Sequence, residues 1–170
     1  TLPSIINDPA FGAIEIAPIK NPEVRQKAKA MLAQAQMQVV YLAVLPILLE
    51  KLEPGSADPD RRQAAVARIK TLLDEAIDFG ATLAMVQGPL DTAPAERAAA
   101  TDRLAEDLRL LCDYTAARSE HKQLFLTLEN FDRDIEKKRL IGPTVEAAAL
   151  AQNALAAKAF VSLLPVLITR

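Results

Sequence analysis

The chain has 170 residues, 51% of them hydrophobic and 25% charged, and a formal net charge of −2. That length is enough for a single domain with a substantial core. The near-neutral balance, with no Arg/Lys stripe interleaved with aromatics, argues against nucleic acid as a partner. No apolar run reaches the roughly 18 residues of a membrane span, and the most apolar one, AFVSLLPVLI, is broken by Pro165.

In chain order, TLPSIINDPA (1–10) reads as the tail of a helix and its loop. GAIEIAPI (12–19) is a short strand-like run between Gly12 and Pro18. NPEVRQKAKAMLAQAQ then reads as a helix, with Asn21 as N-cap, Pro22 at the first helical position, and Val24, Ala28, Met31, Leu32 and Ala35 at helical spacing. MQVVYLAVL (37–45) is apolar almost throughout and predicts a strand buried on both faces, with Tyr41 in the core or pocket wall.

The unit then repeats. Asp58 or Asp60 opens a long helix that Gly80 stops, and ATLAMVQG (81–88) is the next strand. A helix of about seven turns is predicted from Pro94 to near Ser119. LFLTLE (124–129) is a strand that ends on a carboxylate, PTVEAAALAQNALAAK (143–158) a helix opened by Pro143, and AFVSLLPVLI (159–168) a last strand. Alternating strands and helices with such connections predict an α/β fold on a parallel sheet, and no linker divides residues 1–170, which read as one domain.

Cys112 is the single cysteine and lies in a helical stretch, RLLCDY, so it reads as a buried structural thiol in a reducing, cytoplasmic setting. No signal peptide is recognisable, and the chain begins at Thr1 rather than a methionine, as a processed or partial chain would. There is no GxSxG, Walker loop, Cys/His pair or zinc spacing, so hydrolase, nucleotide-binding and zinc readings lack support. His121, the only histidine, reads as a surface residue.

GAIEI, AIDFGATLAMVQGP and LTLENFDRDIEKKRLIGP, in that order and spacing, resemble the sugar phosphate isomerase/epimerase family of xylose-isomerase-like TIM barrels. The resemblance covers most of residues 10–150, and its third segment is the most specific. It implies a partial (β/α)8 barrel of about five strands, a divalent Mn²⁺ or Mg²⁺ ion, and isomerisation or epimerisation of a small-molecule sugar.

Glu129, closing the fifth strand of such a barrel, matches the family's metal ligand and is the residue this resemblance assigns to catalysis. Phe131, Asp132, Arg133 and Asp134 fall in the loop that contacts substrate or closes the rim, and Glu15 matches a position near the pocket. With Gln87 at its own strand end, the substrate-binding candidates are Glu15, Gln87, Asp132 and Arg133. The family's sixth strand carries an aspartate and then a histidine, and AFVSLLPVLI has neither. Nothing matches the first, seventh and eighth strands, so the chain resembles the central portion of the barrel, strands 2 to 6.

Two readings stay open for DRDIEKKR (132–139): a phosphate- or substrate-binding loop, or a solvated loop with local ion pairs. Gly88 either lets backbone N–H groups approach a ligand or is a plain turn residue before Pro89. At the level of function, a metal-dependent sugar isomerase stands beside an inactive or engineered half-barrel module whose role is self-assembly. The second reading rests on apolar residues expected at strand tops: Leu42, Val44, Leu45, Ile47 and Leu48, with Val161, Leu163, Leu164, Val166 and Leu167 at the chain end. It predicts a homo-oligomer, since a sheet with two open edges and an apolar inner face has to be covered.

Overall fold

The computed structural model describes residues 1–118, 123–155 and 161–162. Its five strands are β1 (Ala13–Ile16), β2 (Gln38–Leu42), β3 (Leu83–Gln87), β4 (Phe125–Glu129) and β5 (Val161–Ser162), and they form one sheet in that order. Every neighbouring pair is parallel. Strands that neighbour in sequence also neighbour in the sheet, with a helical crossover between each pair, which is the winding of a βα barrel. The helices are α1 (Leu2–Ile6), α2 (Pro22–Gln34), α3 (Val44–Leu49), α4 (Pro59–Asp78), α5 (Arg97–Arg118) and α6 (Thr144–Leu155), with a 3-10 turn at Pro94–Glu96 before α5. None among the described residues is long and apolar enough to cross a membrane.

Local chemistry sets the helix ends. Asn21 Oδ1 accepts the N–H groups of Glu23 and Val24 at 2.9 and 3.1 Å. Asp58, rather than Asp60, caps α4 by accepting from Asp60 and Arg61 at 2.9 and 3.3 Å, so two orphan donors are satisfied at each start. Three helices close with the same paired bonds around a left-handed residue. For α4, Ala81 N–H donates to Ala76 O and Gly80 N–H to Ile77 O, with Gly80 at φ 67°. Gln36 (φ 54°) and Lys51 (φ 52°) occupy the same place after α2 and α3 and carry the steric penalty that glycine avoids.

The strands alternate with period two. Val39, Tyr41, Ala84, Val86, Leu126 and Leu128 are each at most 2% exposed and join Leu32, Leu72, Leu73, Leu104 and Leu111 in one core beneath the helices. The opposite face, which lines the inside of the arc, carries Glu15, Val40, Leu83 and Phe125 in one register row; Glu15 is exposed and the other three half-buried.

The strand predicted over 37–45 stops at Leu42. Val44–Leu49 is helical, with Pro46 in its first turn, where no intrahelical N–H bond is needed. The expected apolar strand tops are thereby corrected: Val44 and Ile47 are buried core residues of α3, and Leu45 and Leu49 project outward. β1 is likewise shorter than the run 12–19. His121 and residues 163–168 of the predicted last strand lie outside the described residues.

One buried carboxylate ties the loop after α3 to the helix layer. Asp107 is 1% exposed; it accepts the Gly55 N–H at 2.7 Å and Arg62 Nε at 2.8 Å, while Arg103 Nε donates to Gly55 O at 3.0 Å. Gly55 sits at φ 79°, and a Cβ there would lie 3.0 Å from the backbone nitrogen of Leu104. Asp107→Ala is expected to cost about 1–3 kcal/mol in denaturant unfolding, because it leaves the buried Gly55 N–H without its acceptor and removes one of the two carboxylates that Arg62 pairs with. Gly80→Ala is expected to cost about 1 kcal/mol in the same measurement, and Gln36→Gly to gain a fraction of that.

Candidate functional site

Because the strands all run one way, their C-terminal ends share one rim, and the loops that follow them stand above it. Glu129 is the last residue of β4 and pairs in register with Gln87, the last residue of β3. Both continue the inward-facing series. Glu129 is half-buried and Gln87 only 2% exposed. Burial pushes the Glu129 carboxyl above its ordinary value, and the negative charge of Glu15 pushes it the same way. Among the described residues the Gln87 Nε2 donor has no partner.

Two loops frame these ends. Residues 130–142 fold back on themselves: Asn130 Nδ2 donates to Gly142 O at 2.8 Å and Arg139 N–H to Asp132 O at 3.0 Å. An antiparallel bridge joins Leu90 to Arg139, flanked by Asp91 N–H to Lys138 O at 2.8 Å and Leu140 N–H to Pro89 O at 3.0 Å. The loops after β3 and β4 are thus stitched into one piece of rim.

Asp132 and Arg133 are engaged within that piece. Asp132 accepts the backbone N–H groups of Ile135 and Glu136 on one oxygen, each at 2.7 Å, and of Lys137 on the other at 3.0 Å. These donors, Lys137 foremost, hold its carboxyl below the usual aspartate range. The Arg133 guanidinium pairs with both Glu146 carboxylate oxygens and donates to Leu140 O. Of the predicted residues, the structure therefore brings Glu129 and Gln87 together, keeps Glu15 within electrostatic reach, and occupies Asp132 and Arg133 with the loop's own bonding.

Lys137 makes a local pair with Glu136 at 2.6 Å, in keeping with a solvated loop. Gly88 has a packing reason: a Cβ there would come 3.1 Å from Leu104 Cδ2. Tyr41 points into the helix-side core, 0% exposed, away from the inner face. Arg139 was grouped with its charged neighbours in the sequence yet is 7% exposed. The signal that separates it is the apolar Leu140 and Ile141 that follow it directly.

Glu129, Glu15 and the Gln87 amide offer oxygen donors of the kind a hard divalent cation takes, and two like charges beside each other favour a cation between them. Their number falls short of the six or more such an ion needs. Among the described residues no three His, Cys, Asp or Glu side chains are grouped to hold one. The donor type fits, and the donor count does not.

The chain belongs to the xylose isomerase-like TIM barrel family, whose model matches residues 7–151. Its backbone is similar to that of a D-psicose 3-epimerase from Clostridium cellulolyticum H10, solved with D-tagatose. That match has a TM-score of 0.70 and 17% identity over 95% of this chain and 55% of the epimerase. An AP endonuclease, family 2, from Brucella melitensis gives 0.65 and 16% identity over 90% and 57%. A xylose isomerase-like TIM barrel protein from Mycobacterium smegmatis, in complex with magnesium, gives 0.56 and 18% over 95% and 58%. The chain thus spans little more than half the length of these structures. No curated protein matches it in sequence.

A carboxyl raised by burial and a like charge takes up its proton more readily folded than unfolded, so its contribution to stability is full at low pH and lost as pH rises through the folded value. Glu129→Gln is therefore expected to melt higher than wild type at pH 7, with the difference shrinking toward pH 4. Equal melting temperatures at both pH values would contradict the placement of this side chain.

Proposed function

We propose that the chain supplies the central part of a sugar isomerase or epimerase that moves a proton at a carbon next to the sugar carbonyl, acting on a ketohexose-like substrate. The observation that carries this reading is Glu129, a half-buried carboxyl with a raised proton affinity at the end of β4, paired with Gln87 and facing the charge of Glu15. A carboxyl poised closer to neutrality than an ordinary glutamate suits transfer of a proton to and from carbon. Gln87 orients a substrate oxygen through its free Nε2. A Mn²⁺ or Mg²⁺ ion would offset negative charge developing on the sugar oxygens, and Glu129, with Glu15 beside it, would be what this chain offers toward holding one, the other donors having to come from outside the described residues. A small polyol agrees better with a net charge of −2 than a nucleic acid does, and the free buried thiol of Cys112 agrees with a cytoplasmic setting.

The test is solvent exchange. Deuterium from D₂O is expected to enter D-fructose or D-psicose next to the carbonyl in the presence of Mn²⁺, and Glu129→Gln is expected to slow that incorporation by about 100-fold or more. Exchange that is unchanged in this variant removes Glu129 from the chemistry.

A second reading, self-association, is favoured by one specific feature. Val24, Leu45, Leu49, Leu90, Ile135 and Val145 are exposed large apolar residues on segments that follow strand C-termini. Light scattering at micromolar concentration is expected to give a mass above 18.4 kDa, and Ile135→Lys to shift it toward the monomer. A monomeric wild type removes this reading.

A further inference from the structure

Arginines packed against this fold generally have an acid to answer them: Arg62 pairs with Asp107 and Arg133 with Glu146. Arg139 does not. It is 7% exposed, and its Nη1 reaches only the Gly88 carbonyl, at a long 3.4 Å. Its Nε has no partner among the described residues. No carboxylate among the described residues lies within ion-pair distance, and burial alone acts on the guanidinium, pushing its proton affinity down. A guanidinium is a fork of five donors and no acceptor, and an unpaired buried cation is among the costliest groups a protein can hold.

Its position is equally specific. The Leu90–Arg139 bridge holds its backbone over the end of β3, and its side chain meets Gly88, the residue after Gln87. Gln87, the residue before Gly88, carries a second buried donor without a partner among the described residues. Two unsatisfied donor groups, one of them cationic, thus belong to side chains at one strand end, where the described residues answer them with a single backbone carbonyl. We propose that Arg139 and Gln87 form a binding site for a small oxyanion, a phosphate ester or carboxylate group, at the ends of β3 and β4. A planar guanidinium suits either group through paired N–H bonds. The inference deepens the proposed activity by placing a negative charge on the sugar, and it rests on that reading only for the sugar itself.

The test is thermal unfolding of the full chain with inorganic phosphate, and separately with acetate, at ionic strength held constant with chloride. Wild type is expected to melt about 3–5 °C higher when the better anion stands tenfold above its dissociation constant. Arg139→Met is expected to lose that response while melting no lower than wild type in chloride alone, since it removes an unpaired charge. A response to phosphate assigns a phosphate ester, and one to acetate alone a carboxylate. No response to either, or an undiminished response in Arg139→Met, overturns the proposal. Should Arg139→Met fail to fold, Gln87→Leu decides: a weakened response supports the site and an unchanged one overturns it. Because the readout needs no turnover, absent sugar exchange with an intact anion response would sink the activity alone.

Discussion

The five-residue ladder between β3 and β4 is the constraint on which the rest of this molecule depends. It pairs Leu83 with Phe125 at one end and Gln87 with Glu129 at the other. Parallel pairing admits no drift by one residue, since a slip would turn Leu126 and Leu128 from the helix layer toward the inside of the arc. The same bonding that fills the core therefore brings an amide and a carboxyl to one height on the rim. The site follows from the packing of the strands that bear it.

What lies above the ladder is held by a different kind of bonding. The loop after β4 is held internally through Asp132 and Asn130, tied to α6 by the Arg133–Glu146 pair, and then sewn to the loop after β3. That arrangement leaves two kinds of polar residue on the rim: those that complete the loop, and those that remain open. Among the described residues, Glu129, Gln87 and Arg139 belong to the second kind.

The sheet, its parallel sense and its strand order were legible in the sequence because short apolar runs alternated with well-capped helical stretches. Asn21 and Gly80 marked boundaries that the structure keeps, and of the alternatives Asp58 and Asp60 it keeps the first. The apolar stretch 37–49 misled because it holds a strand and a short helix end to end, and Pro46, which sits without penalty in a first turn, gave no warning. At the site, Glu129 and Gln87 were readable as polar residues closing apolar strands. The engagement of Asp132 by the N–H groups of its own loop was not, because it depends on how the loop folds back; for Arg139, the apolar Leu140 and Ile141 signal its burial but nothing in the sequence signals that it lacks an acid partner.

Cys112 lies on the buried side of α5, and burial raises its thiol to about 11. At neutral pH it is almost wholly protonated as well as enclosed, so sulfur chemistry is closed to the folded chain on both counts. It becomes available when α5 lifts away or the domain opens. As the only sulfhydryl in the polypeptide, it is an intrinsic reporter: the rate at which a maleimide finds it measures how often this helix layer leaves the sheet.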